Sequence, residues 1–93
     1  MTQPIYTVDF TVRAEQQKME IPIERRRHFD AALRELLADP TPAKARKLED
    51  PGFWEVRLTQ WITIEYTFRK SVMVVTVVDV RDDKETEPFY YEP

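Results

Sequence analysis

Three strand-like runs, two of alternating hydrophobic and polar residues and one almost wholly apolar, dominate the second half of the chain. They cover Phe53–Thr59, Trp61–Arg69 and Val72–Arg81, and only tight turns separate them. In the first two runs every second residue is apolar, a period that predicts strands with one face on a core. The third run, VMVVTVVDV, is apolar on both faces until Asp79, which predicts a strand inside the sheet rather than at its edge.

The first half of the chain predicts one more strand followed by helices. Residues 5–13 alternate as a strand, and the polar stretch Ala14–Glu20 fits a short helix. From Ile23 to Leu37 the apolar residues recur at helical spacing, with Pro22 in the first turn, where its missing N–H costs little. Pro40 cannot continue this helix and is expected to end it.

The order strand, helix, helix and three strands predicts an α+β fold, with an antiparallel-rich sheet and helices packed on one face. Residues 1–81 are expected to form a single domain, and residues 82–93 an acidic aromatic tail. A basic stretch after the long helix is predicted to be a loop that leads into a turn at Gly52. The position of this glycine before a strand predicts a positive φ or close backbone packing.

The amino-acid composition excludes several kinds of functional site. A chain of 93 residues, 42% apolar and 33% charged, suits one globular domain. It has no cysteine for disulfides or thiolate metal sites, and its single histidine, His28, cannot form a histidine cluster. One glycine is too few for a glycine-rich phosphate loop. The N-terminus lacks a signal segment and no apolar run is long enough to cross a membrane, so a cytoplasmic location is expected.

The net charge of −3 is unevenly divided along the chain. Residues 82–93 hold five acids and one lysine, whereas residues 1–81 hold 13 bases and 12 acids. A strongly basic nucleic-acid binder would look different from this nearly neutral body. The tail is interpreted as a solvated terminus, or alternatively as a segment that docks on its own sheet or on a second subunit.

Phosphate chemistry without a metal or histidine remains open to this chain. Arginine can stabilise developing charge on a phosphate, while a carboxylate or tyrosine moves protons. Arg57 and Arg81 would form a cationic pair if they shared one face on adjacent strands. The alternative is a cross-strand salt bridge between Arg57 and Glu65. The run Arg25–Arg27 invites a phosphate-binding interpretation too, although long arginine stems covering an apolar stripe would explain it equally.

The element order and the segments GFWEVRLTQWITIEYTF and VMVVTVVDVR resemble the RelE/ParE toxin superfamily of type II toxin–antitoxin systems. The likeness spans about residues 5–81 and is densest from Leu48 to Arg81. Gly52-Phe53-Trp54, Arg57 and Tyr66 lie where those toxins carry a Gly–aromatic–x–x–Arg…Tyr pattern.

The resemblance implies a ribosome-dependent mRNA endoribonuclease. Two arginines would hold the scissile phosphate and a late tyrosine would supply the acid, so the catalytic candidates are Arg57, Arg81, Tyr90 and Tyr91. The flanking RNA backbone would contact Lys44, Arg46 and Lys47. Two departures count against a complete catalytic set. Thr63 stands where the family has a second key arginine, and residues 82–88 lack the family's tyrosine or histidine.

The resemblance also implies partners and an alternative activity. The expected partner is a cognate antitoxin, together with mRNA on the ribosome or, for a ParE-like binding module without that catalytic set, DNA gyrase. A homodimer is a further expectation, with no membrane association, cofactor or metal. Such toxins are bacterial and serve in plasmid stabilisation.

Overall fold

The computed structural model describes residues 5–82. Two helices and five strands follow one another as β1 (Thr7–Phe10), α1 (Val12–Met19), α2 (Ile23–Ala38), β2 (Arg46–Lys47), β3 (Trp54–Arg57), β4 (Ile62–Arg69) and β5 (Val74–Asp82). The strands form one sheet in the order β1-β5-β4-β3-β2. The predicted α+β class is confirmed, and β5 lies inside the sheet, as its apolar character indicated.

The core lies between the sheet and the two helices. In α2 the buried residues Phe29, Leu33 and Leu36 follow the helical repeat, so they form one stripe facing the strands. The strands contribute alternate residues, since the residues of one sheet face recur every second position. The largest of these strand residues, Tyr66, is fully buried and packs in the same cluster.

The predicted first strand was too long. It ends at Phe10, and Val12 begins α1. The reason is Thr11, whose side-chain oxygen accepts a hydrogen bond from the Ala14 backbone N–H at 3.1 Å and caps the helix. The alternating pattern continued across the boundary because Val12 is apolar, yet its side chain is exposed on α1.

Strand pairing corrects one further prediction and confirms an antiparallel-rich sheet, since three of the four strand pairs in residues 5–82 are antiparallel. The basic stretch predicted as a loop contains β2, which pairs antiparallel with β3. β1 pairs parallel with β5, so the sheet is mixed. Parallel neighbours require a long crossover, which the helical segment between β1 and the later strands supplies.

Two features hold the segment between α2 and β3. The buried Tyr66 hydroxyl donates to the Pro40 carbonyl oxygen at 2.5 Å, and burial, followed by the nearby Asp39 charge, raises the pKa of Tyr66 to about 12. Gly52 has a φ of 87°, as the predicted turn requires. A Cβ at this position would approach no atom closer than Thr67 Oγ1 at 4.0 Å, so glycine is needed for its conformation and not for space.

Candidate functional site on the open sheet face

The sheet face opposite the helices carries two neighbouring rows of charged side chains. Residues directly opposite one another on paired strands project to the same side of the sheet. The register therefore aligns three carboxylates in an acidic row, Glu55, Glu65 and Asp79. The next row is the arginine row, Arg57, Thr63 and Arg81.

A β-bulge in β5 brings Arg81 onto this face. Strict alternation would place Arg81 on the same side as Val77, which is fully buried in the core. In the register, however, Tyr66 lies opposite Val77 and Glu65 opposite Asp79, so Val78 is an extra residue in β5. An extra residue reverses the alternation beyond it, which turns Arg81 to the open face.

Arg57 and Arg81 thus share a face, but they lie on strands that are not adjacent, so only one half of the condition for a cationic pair is met. Strand β4 lies between β3 and β5, and Thr63 occupies the position between the two arginines. Two interstrand spacings separate their backbones by roughly 10 Å. The Arg81 guanidinium contacts the acidic row, at 2.5 Å from Glu55 Oε2 and 3.5 Å from Asp79 Oδ2.

Glu55 is the centre of the charge network. Its Oε1 accepts from Arg46 at 2.6 Å, and its Oε2 accepts from Arg81 at 2.5 Å. Hydrogen bonds from Arg46 and then from Arg81 lower the pKa of Glu55. The carboxylate is therefore ionised at neutral pH and links two of the predicted phosphate-binding arginines.

Helix α1 fixes the end of β5 that carries Arg81. The pairing of β1 with β5 ends at Val77. Beyond Val77, the Gln17 side chain forms hydrogen bonds to the edge of β5 in place of β1. The Gln17 Oε1 accepts from the Val80 backbone N–H at 2.8 Å, and its Nε2 donates to Asp79 Oδ1 at 3.0 Å. Arg13 lies 3.3 Å from the same carboxylate oxygen. Backbone and side-chain contacts together hold this strand end in place.

The three basic residues predicted to contact RNA do not lie together. Arg46 belongs to the open face through its bond to Glu55. Lys47 lies opposite Trp54, in the alternate position of β2 and hence on the other side. Lys44 lines a small cavity beside α2. The remaining catalytic candidates, Tyr90 and Tyr91, lie outside the described residues.

Sequence reasoning missed Glu55, Asp79 and Gln17 as parts of this site. Glu55 has the same strand phase as Arg57, so the period of β3 could have placed it on the arginine face. Asp79 and Gln17 gave no such signal, because their positions depend on the bulge and on how α1 packs against β5.

Residues 5–82 contain no group of three or more histidine, aspartate or glutamate side chains placed to bind a metal ion. Over the same range, neither helix combines the length and apolar character needed to cross a membrane.

The open-faced mixed sheet with its two helices is the fold of RelE/ParE-like toxins. The RelBE2 toxin–antitoxin complex from Mycobacterium tuberculosis matches with a TM-score of 0.75 at 18% identity, covering 87% of this chain and 94% of that chain. The isolated E. coli RelE toxin matches with a TM-score of 0.74 at 21% identity, covering 91% and 92%. A YoeB/ParE toxin from Agrobacterium tumefaciens gives 0.68 at 16% identity, covering 82% and 96%.

These likenesses confirm the resemblance at the level of fold. No family model matches the sequence. No curated protein matches it either. Among the structural neighbours, the E. coli RelE toxin and an archaeal RelE from Pyrococcus horikoshii form complexes with their RelB antitoxins. The Staphylococcus aureus YoeB forms a dimer.

Proposed function

We propose that this protein is the toxin component of a type II toxin–antitoxin system and acts as a RelE-like ribosome-dependent mRNA endoribonuclease. The observation that carries the proposal is the arginine row, with Arg57 and Arg81 on one face of a RelE/ParE-like fold. Within residues 5–82 the core lies on the opposite side of the sheet, and α1 reaches this face at its edge, where Arg13 and Gln17 contact Asp79. An extended RNA strand could therefore lie across it.

The scissile phosphate would bind between Arg57 and Arg81. The planar guanidinium group forms paired hydrogen bonds with phosphate oxygens and stays charged at every physiological pH. The Thr63 hydroxyl, between the two arginines, would add a donor to the same phosphate. Glu55 cannot act as a general acid at neutral pH, because its lowered pKa keeps it ionised. Proton donation to the leaving group is assigned to Tyr90 or Tyr91.

The test is to incubate the purified protein with translating ribosomes and map the mRNA ends. Cleavage should occur with the wild-type protein and be lost in Arg81→Ala. Arg69→Ala is the matched control, because Arg69 is an exposed arginine of β4 in the same strand phase as Thr63 but at the opposite end of the strand. Equal loss in both variants, or intact mRNA with the wild-type protein, would refute the nuclease assignment.

A second candidate is a ParE-like module that acts by binding DNA gyrase or another protein. Two observations favour it. Glu55 already holds two of the arginines that RNA would need. Thr63 replaces the arginine expected in an active RelE-like enzyme. This candidate predicts growth arrest on expression while mRNA stays intact.

The proposed partners follow from the same assignment. A cognate antitoxin would bind and neutralise the protein in the bacterial cytoplasm; the RelE neighbours are solved in complexes with RelB, and homodimers are a further expectation. A plasmid-stabilising role fits such a pair. Co-expression with the product of the adjacent reading frame should give a stable complex and relieve growth arrest. Growth that is unaffected by expression of the protein alone would argue against both toxic mechanisms.

A further inference from the structure

A pocket separate from the open sheet face lies at the end of the sheet, beside the turn between β3 and β4. It encloses about 270 Å³ and is lined by Arg25, His28, Thr59, Gln60 and Trp61. The turn follows directly on Arg57, and α2 supplies the arginine and the histidine one helical turn apart. Neither the fold comparison nor the proposed phosphate site assigns a role to these residues.

One wall of the pocket is a stacked pair of a cation and an aromatic ring. The guanidinium carbon of Arg25 lies 5.6 Å from the centre of the Trp61 ring, within the range of a cation–π contact. Asp82 holds this arginine by a 2.8 Å hydrogen bond, and the Arg25 side chain is only 14% exposed. The pair is therefore fixed in place, which lowers the entropy cost of ligand binding.

The remaining groups in the wall offer hydrogen-bond donors. The indole N–H of Trp61 is buried and has no acceptor within residues 5–82, so the ring of Trp61, and not its N–H, faces the ligand, and the donors come from Thr59 and Gln60. The Thr59 oxygen accepts from the backbone N–H groups of Trp61 and Ile62 at 3.3 and 3.2 Å, so its own proton is left to donate. The Gln60 amide adds two further donors. A flat ligand that carries acceptor atoms would complement the aromatic wall and the Thr59 and Gln60 donors.

We propose that this pocket binds one unpaired nucleobase of an RNA strand. Unstacked bases bind on aromatic rings and arginine planes, and their carbonyl and ring nitrogen atoms are acceptors. Pockets for drug-sized ligands occupy about 300–1,000 Å³, so 270 Å³ suits a single ring system. The choice of RNA rests on the proposed function. Arg57 directly precedes the turn that lines the pocket, and Arg81 directly precedes Asp82, which holds Arg25. The backbone of a bound RNA strand would therefore lead from the phosphate site to the pocket.

Tryptophan fluorescence of the full-length protein tests the proposal. The chain has two tryptophans, and Trp54 packs against Phe68 away from the pocket. In a Trp54→Phe variant, ribonucleoside monophosphates should quench Trp61 saturably, whereas ribose 5-phosphate should not. In a Trp61→Phe variant, the same nucleotides should leave Trp54 unquenched. For a short single-stranded RNA, Trp61→Leu should weaken binding by roughly fivefold to a hundredfold.

The results separate this proposal from the nuclease assignment. Mononucleotide quenching requires neither ribosomes nor Arg57 and Arg81, so it should persist in the Arg57→Ala/Arg81→Ala double variant even if no mRNA is cut. Absence of quenching through the millimolar range would overturn the base pocket while leaving the phosphate site intact. Quenching by an acidic aromatic peptide but not by nucleotides would also overturn it and would identify a protein-binding pocket instead.

Discussion

Glu55→Gln should strengthen RNA binding, because the native carboxylate competes with phosphate for two arginines. The substitution removes the negative charge and keeps the size of the side chain. In the folded protein Glu55 bonds to Arg46 at 2.6 Å and to Arg81 at 2.5 Å. A phosphate that takes over either arginine must first break the corresponding ion pair.

The size of the effect follows from how exposed these pairs are. The side chains of Arg46 and Arg81 are 72% and 44% exposed, so solvent screens both interactions strongly. Exposed ion pairs contribute about 0.2–1 kcal/mol each, and two of them about 0.4–2 kcal/mol. Relieving both would increase affinity for single-stranded RNA by about 2- to 30-fold. The folded state would lose a similar free energy of unfolding, and Tm would fall by roughly 4–8 °C for each kcal/mol.

Fluorescence anisotropy with a labelled single-stranded RNA at several salt concentrations measures both effects. Each arginine released to the RNA should add about 0.7 to the slope of log K against log salt. Glu65→Gln is the matched control. The substitution removes the same charge directly opposite Glu55, and Glu65 has no ion pair within residues 5–82. Equal gains in RNA affinity in the two variants would show that the effect comes from the change in net charge and not from release of the arginines. Weaker binding by Glu55→Gln would mean that the carboxylate positions the arginines instead of blocking them.

Four further predictions concern stability. The lowered pKa of Glu55 means that its stabilising contribution is present above the ordinary value of 4.5 and is lost as the pH falls through the folded-state pKa. The wild type and Glu55→Gln should therefore converge in free energy of unfolding in acid, and an undiminished difference there would contradict the ion pairs. Tyr66→Phe should lose about 1–3 kcal/mol in urea unfolding, because the Pro40 carbonyl is left without its donor. Since the pKa of Tyr66 is raised to about 12 from 10.0, the wild type should also lose stability as the pH rises from 10 to 12 in a way that Tyr66→Phe does not. Gly52→Ala should lower stability by about 1–2 kcal/mol through its positive φ alone, and Gly52→Asn by less; a larger loss would indicate a clash that the 4.0 Å contact to Thr67 does not show.

The local elements were predictable because they depend on neighbours in the chain. Alternation at period two predicted β3 and β4, a run apolar on both faces predicted β5, and helical spacing predicted α2 with its buried stripe. The single glycine indicated the turn at Gly52, since a positive φ is a local property of the backbone. The resemblance in residues 48–81 was sufficient for the toxin-like fold, because those residues make most of the sheet.

Only the tertiary structure decided which charged side chains meet. Strict alternation puts Arg81 on the buried side of β5, and the extra residue Val78 reverses that phase. The strand order puts Thr63 between Arg57 and Arg81, whereas the apolar character of β5 indicated only that β5 is not an edge strand. The pairing of β2 with β3 brings Arg46 to Glu55 and places Lys47 on the other side of the sheet, while Lys44 precedes β2 and lines a small cavity beside α2. Register and strand order are properties of residues far apart in the chain, so they depend on the whole core and not on any local pattern.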